Sequence, residues 1–209
     1  MKFNPIAATK AVIRVGAGRG FVVDTLEQWP RRLVITAAHC LPHFPESHAA
    51  WDWQERTYQQ LLGLLGTEPD IWAECLFADP IGDIAVLGPV DNQELSNEAA
   101  AFDHLVNGVP PLSVSLRSEE ASAVFLLSLD REWQPCQALD TSHGPLSPFW
   151  LTNALSGIRG GMSGSPILNE EGAAIGIVAT SSGGAAEFDT EGGPNPNLVG
   201  NLPGWCRLL

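Results

Sequence analysis

The chain is poor in basic residues. Its 209 residues hold 11 Lys and Arg against 24 Asp and Glu, a formal net charge of −13. Phosphate binding needs clustered cations, so nucleic acid and anionic membrane surfaces are not expected partners. The acidity reads as a device for solubility. Long apolar runs are also missing. No stretch approaches the roughly 20 apolar residues of a membrane-spanning helix. Between Met1 and Lys10 only residues 6–8 form an apolar patch, too brief for the core of an export signal. A cytoplasmic protein is the resulting expectation. Cysteine is sparse: Cys40, Cys75, Cys136 and Cys206, with no CxxC pair. That spacing disfavours a zinc site, and without an export signal it favours thiols over disulfides.

What the chain does have is glycine, proline and short apolar runs. With 21 Gly, 16 Pro and 44% hydrophobic residues, it can bury a core but has few long runs of helix formers. Strands are predicted at 11–15, 18–24, 32–36, 71–77 and 83–90. Residues 57–66 fit a strand or a short helix equally, because their leucines do not decide the period. The polar segment 42–56 reads as a surface loop. Residues 91–103 are polar and helix-tolerant and read as a linker. Further strands are predicted at 111–116, 121–129, 149–154, 165–168 and 173–180, with a proline- and glycine-punctuated stretch before Pro148. There is no internal repeat. Strands, a break near residue 100, then strands again suit two small antiparallel barrels or one sandwich.

Three segments carry chemistry. Residues 161–166 read GMSGSP. Glycines around Ser163 permit a tight turn, and they leave the N–H groups of Gly161 and Ser163 free to converge on one point. Such a pair can hold an oxyanion. Residues 36–40 read TAAHC, with His39 at a strand end among small neighbours that leave its ring room to project. Residues 83–87 read DIAVL, which places Asp83 at the mouth of an apolar strand. Alone, each has a plainer reading: a hairpin turn, a structural histidine, a strand cap. Together they run His, Asp, Ser, with two members before the break and one after it.

In that order the three segments resemble the signatures of the trypsin-like, chymotrypsin-fold serine peptidases. GRGFVV and DPIGDIAVL look closer to the bacterial HtrA-like branch than to digestive trypsins. The resemblance spans residues 10 to 180. It implies an all-β fold of two antiparallel six-stranded β-barrels, residues 1–100 and 101–209, with the active site in the cleft between them. It also implies a His39–Asp83–Ser163 triad in that family's known roles. Ser163 would attack the peptide carbonyl, His39 would carry the proton, and Asp83 would orient the imidazole. Gly161 and Ser163 would supply the oxyanion hole. The substrate would be protein or peptide, with no metal or cofactor. Gly157 would lie near the floor of the specificity pocket, and Ala179, Thr180 and Ser181 along its edge strand. Residues 198–201 would give the last strand.

Rival readings fail on order and spacing. An α/β-hydrolase needs GxSxG and a histidine after the serine, but position 165 is serine and the last histidine is His143. Asp24 can be forced into an Asp–His–Ser order, without the small-residue context that order needs. His39, His43 and His48 cluster, but there is no HExxH, and Pro42 and Pro45 break any helix there.

The departures from the family are specific. Met162 stands where digestive trypsins carry the Asp that pairs with a freshly cut N-terminus, so activation by that ion pair is not expected. Cys40 has no upstream cysteine to bridge. Glu187, Asp189 and Glu191 lie in the following loop; they read as a solvated loop first, and as a source of acid for the pocket second. A pseudopeptidase that binds proteins through the cleft is the alternative function. A peptidase awaiting a partner to order residues 158–162 is a third.

Overall fold

The computed structural model describes residues 3–25, 31–45, 53–116, 123–140, 144, 146–179 and 193–206. Six of its strands close a barrel: β1 (Val12–Val15), β2 (Gly18–Asp24), β3 (Arg32–Thr36), β4 (Thr57–Leu64), β5 (Ile71–Asp79) and β6 (Ile84–Gly88). Their order around it is β1-β2-β3-β6-β5-β4, every pairing antiparallel. Closure removes the exposed strand edges that would otherwise recruit other chains. Valine and isoleucine fill its interior; Ile13, Phe21, Ile35, Leu62 and Leu87 are fully buried. β4 resolves the ambiguity of residues 57–66. Its register shifts between Tyr58 and Leu62, with Gln60 at φ 51°, so the alternation that marks a strand is interrupted there.

The second half holds a five-stranded sheet among the described residues, ordered β11-β10-β7-β8-β9. Its strands are β7 (Ala123–Leu127), β8 (Trp133–Asp140), β9 (Phe149–Thr152), β10 (Pro166–Leu168) and β11 (Ala174–Ile177). A separate apolar cluster, including Leu126, Phe149, Leu151, Met162, Ile167 and Ile175, fills it. The protein is thus mostly β, a closed six-stranded barrel beside a second sheet. β8 falls in the stretch expected to be irregular because of Pro135. β7 pairs with its Trp133–Gln137 part and β9 with Gln137–Asp140, so Pro135 needs no donor on the β9 side.

Three helices depart from the expected pattern. α1 (Pro5–Ala11) starts on Asn4, whose side chain accepts from the N–H groups of Ile6 and Ala7, with Pro5 in the first turn where no donor is needed. α2 (Ser96–Asn107) occupies the supposed linker. It buries Ala99, Phe102, Leu105 and Val106 and packs against β3 and β5. The expected last strand at 198–201 is instead α3 (Leu198–Asn201), because Asn197 caps it through Gly200 N–H at 3.1 Å. Residues 111–116 form only isolated bridges, Leu112 to Val23 and Val114 to Ala174, which tie the two halves together. No helix among the described residues is long and apolar enough to cross a membrane.

Candidate active site

His39 is set by the end of β3. Ala37 and Ala38 are fully buried, and the chain turns through a short 3-10 segment, Ala38–Cys40. Its two flanking members point inward and His39 outward. The Asp83 carboxylate receives the His39 main-chain N–H on Oδ1 at 2.9 Å and the ring Nδ1–H on Oδ2 at 2.7 Å. The Asp83 carbonyl also accepts from Ala38 N–H at 3.2 Å. Asp83 adopts φ 53°, a left-handed conformation that Asp and Asn tolerate better than most residues. The preceding turn is held by Asp79, which accepts from Ile81 N–H at 2.9 Å. Because Nδ1 donates to Asp83, Nε2 is left as the acceptor. The bond to Asp83 raises the His39 pKa; partial burial opposes this, and the carboxylate charge adds to it.

Ser163 sits on a turn that only glycine permits. Gly161 has φ 88° and Gly164 φ 78°. A Cβ on Gly164 would collide with the Arg19 carbonyl oxygen and lie 2.6 Å from Thr36 Oγ1. The turn is pinned by Met162 N–H to Arg159 O at 3.1 Å, Ser165 N–H to Met162 O at 3.0 Å, and Gly164 N–H to Val178 O at 2.7 Å. Met162 is buried in the second apolar cluster and braces the turn from beneath. The N–H groups of Gly161 and Ser163 have no acceptor among the described residues.

Two hollows meet at these residues. One, of about 550 Å³, is lined by His39, Asp83, Ser163, Ala179, Pro148 and Pro194 among others. The second, of about 400 Å³, is lined by His39, Cys40, Gly161 and Ser163 on the far side. His39 and Ser163 form part of both walls. A third hollow of about 560 Å³ lies elsewhere, between α1, β4 and the end of α2. Volume does not separate the three; the convergent polar groups do.

The expected pocket residues are only partly brought together. Ala179 lines the first hollow and is buried, its N–H donated to Asn195 Oδ1 at 3.1 Å. Gly157 is half-buried in a left-handed turn, φ 64°, and lies on neither wall. Thr180, Ser181, Glu187, Asp189 and Glu191 lie outside the described residues, as does His48. His43 turns away from the hollows, its ring 4.9 Å from that of Tyr58 and its carbonyl accepting from the Tyr58 hydroxyl at 2.8 Å. Cys40 is buried beside Ser163, and burial pushes its thiol up to about 11, far from the thiolate range of a nucleophile.

Residues 18–177 match the model of the trypsin-like peptidase domain family. The chain belongs to that family. No curated protein matches it in sequence. Among solved structures it is similar to the Rv3671c protease of M. tuberculosis in an inactive form. That pairing has 18% identity and a TM-score of 0.50, over 85% of this chain and 82% of the other. A serine-to-alanine variant of the same protease, also inactive, gives 18% identity and a TM-score of 0.53 over 93% and 84%. At that identity the likeness speaks for the fold alone. It agrees with the barrel-and-sheet architecture above.

Two residues with structural roles at this site are absent from the sequence reading. Asn195 is fully buried and braces both Ala179 and, through Nδ2, the Phe149 carbonyl at 3.3 Å. Nothing in the run of Gly and Pro around it marks it. Arg19 is the other. Its signal was visible: a full charge within β2, a strand otherwise apolar until its final Asp24.

Proposed function

We propose that the chain is a serine endopeptidase acting through an acyl-enzyme at Ser163. The observation that carries this reading is the His39 ring, fixed by Asp83 at 2.7 Å and facing the same hollow as Ser163. Ser163 Oγ attacks the peptide carbonyl carbon while His39 Nε2 takes its proton. The carbonyl oxygen becomes an oxyanion held by the N–H groups of Gly161 and Ser163. One donor of this kind typically lowers the barrier by about 3 kcal/mol. The tetrahedral intermediate expels the amine, which receives the proton from His39. Water then repeats the sequence on the ester, releasing the carboxylate and restoring Ser163. Asp83 holds the imidazole in the tautomer that can accept, and it stabilises the imidazolium once formed. The substrate is protein or peptide. Ala179, Pro148, Pro194 and Pro196 give its side chains an apolar wall.

A fluorophosphonate probe, which phosphonylates an activated serine, tests the assignment. The wild type takes one label, mapped by mass spectrometry to Ser163, and Ser163→Ala takes none. Undiminished labelling of Ser163→Ala would remove Ser163 from the mechanism.

A further inference from the structure

Arg19 is 4% exposed, and no carboxylate lies within ion-pair range of it among the described residues. Burial of a guanidinium is costly unless its donors are satisfied. Here carbonyl oxygens do this. Nη1 donates to Leu127 O at 3.0 Å and Ser128 O at 2.9 Å, and Nη2 to Leu129 O at 3.4 Å. The same residue uses its main chain on the nucleophile turn. Its N–H donates to Ser163 O at 2.8 Å, and its carbonyl, which accepts from Thr36 Oγ1 at 2.7 Å, is the atom that forbids a side chain at Gly164. The guanidinium also reaches the far end of that turn, Nη1 lying 3.5 Å from Ser165 Oγ, and the loop it grips runs beside the turn, Leu129 Cδ2 standing 3.5 Å from where a Gly161 Cβ would be. Arg19 therefore meets the Ser163 turn twice, through its backbone at Ser163 O and through its side chain at Ser165 Oγ.

Resting on the peptidase reading above, we propose that Arg19 is a positioning residue for the reaction, setting Ser163 and the Gly161 N–H relative to His39. A neutral side chain would take a donor from all three carbonyls, leaving Ser128 O with only the Arg131 N–H at 3.2 Å, and burial disfavours the charge that now serves them. An arrangement with so much against it is kept for what it holds in place. A planar fork spans three successive carbonyls; a lysine ammonium, a point donor, reaches fewer of them.

The test compares Arg19→Met and Arg19→Lys with the wild type in fluorophosphonate labelling, alongside hydrogen exchange by mass spectrometry. The limiting labelling rate at saturating probe falls about 10- to 100-fold in Arg19→Met, the usual scale for a displaced reacting group. The half-saturating probe concentration stays within about twofold, because the probe-binding walls are untouched. Arg19→Lys retains an intermediate rate, and it carries the comparison if the Met variant does not fold. Exchange quickens in residues 127–131 and 158–165 and nowhere else. A limiting rate within about twofold of wild type in a folded Arg19→Met protein overturns the proposal. So does a loss confined to half-saturation, or faster exchange spread evenly over the chain. If the wild type itself takes no label at Ser163, the peptidase reading falls. The exchange pattern, which needs no activity, then decides whether Arg19 holds the turn.

Discussion

Replacing Asp83 with Asn tests the His39 geometry with little disturbance elsewhere. Asparagine fits the left-handed φ of 53° at this position, and its Oδ1 can still accept the His39 main-chain N–H that Asp83 now receives at 2.9 Å. The second contact is reversed. An amide N–H now faces Nδ1, so Nδ1 must accept and Nε2 must carry the proton towards Ser163. The ring is held in place but cannot act as a base. Loss of the correct tautomer in a triad of this kind slows turnover about 10⁴-fold, or ~5.5 kcal/mol of barrier. Stability should change by under about 1.5 kcal/mol, since one acceptor survives. The His39 pKa falls as well, because its bond to Asp83 is what raises it and burial alone lowers it. In the wild type the raised pKa adds stability in full below the ordinary value of 6.5, and that increment disappears as pH rises through the folded value. Activity runs the other way, growing as His39 loses its proton. In Asp83→Asn the ring loses its proton at lower pH, but the neutral ring keeps its proton on Nε2, so the residual activity no longer follows that titration. Labelling rates across pH, with NMR titration of the His39 ring, measure both quantities. A variant within tenfold of wild type, or an unmoved His39 pKa, would refute the argument.

Two further expectations follow from packing. Gly164→Ala places a methyl against the Arg19 carbonyl at φ 78°; it should lose about 3 kcal/mol in urea unfolding and its labelling with it. Cys40 and Cys75, whose thiols burial pushes up to about 11, should resist iodoacetamide at pH 8 in the folded protein and react once urea unfolds it; rapid native alkylation would contradict their burial.

The strands of the barrel were legible because burial and β-branched runs coincide there, as in RLVIT and DIAVL. The helices were not, for separate reasons. α1 carries its marks, Asn4 and Pro5, but is only seven residues long. α2 exposes much of its surface, so its composition is that of a linker, while Phe102 and Leu105 make the face that packs. Proline hid β8, a strand whose partner on one side is too short to need the missing donor. At the site, order and context singled out His39, Asp83 and Ser163. The bond from His39 to Asp83 could be guessed from them. The charge of Arg19 inside an apolar strand was visible, but its partners were not, since they are main-chain carbonyls more than a hundred residues away. Main-chain acceptors leave no trace in a sequence.

The packing of residues 3–9 has a consequence for biosynthesis. Phe3 packs edge-on against Phe125 and Trp133, with ring centres 5.2 and 5.7 Å away, and the Trp133 indole N–H reaches both Pro5 O at 3.1 Å and Thr9 Oγ1 at 2.9 Å. These contacts bridge up to 130 residues of sequence, from Phe3 to Trp133. Residues 3–9 leave the ribosome well over a hundred residues ahead of the Phe125 and Trp133 that receive them. The barrel can close while Phe3 waits, but this segment cannot be fastened until β8 emerges. Such long loops form late and slowly. Half-made chains therefore carry an aromatic residue whose receptor has not yet been made.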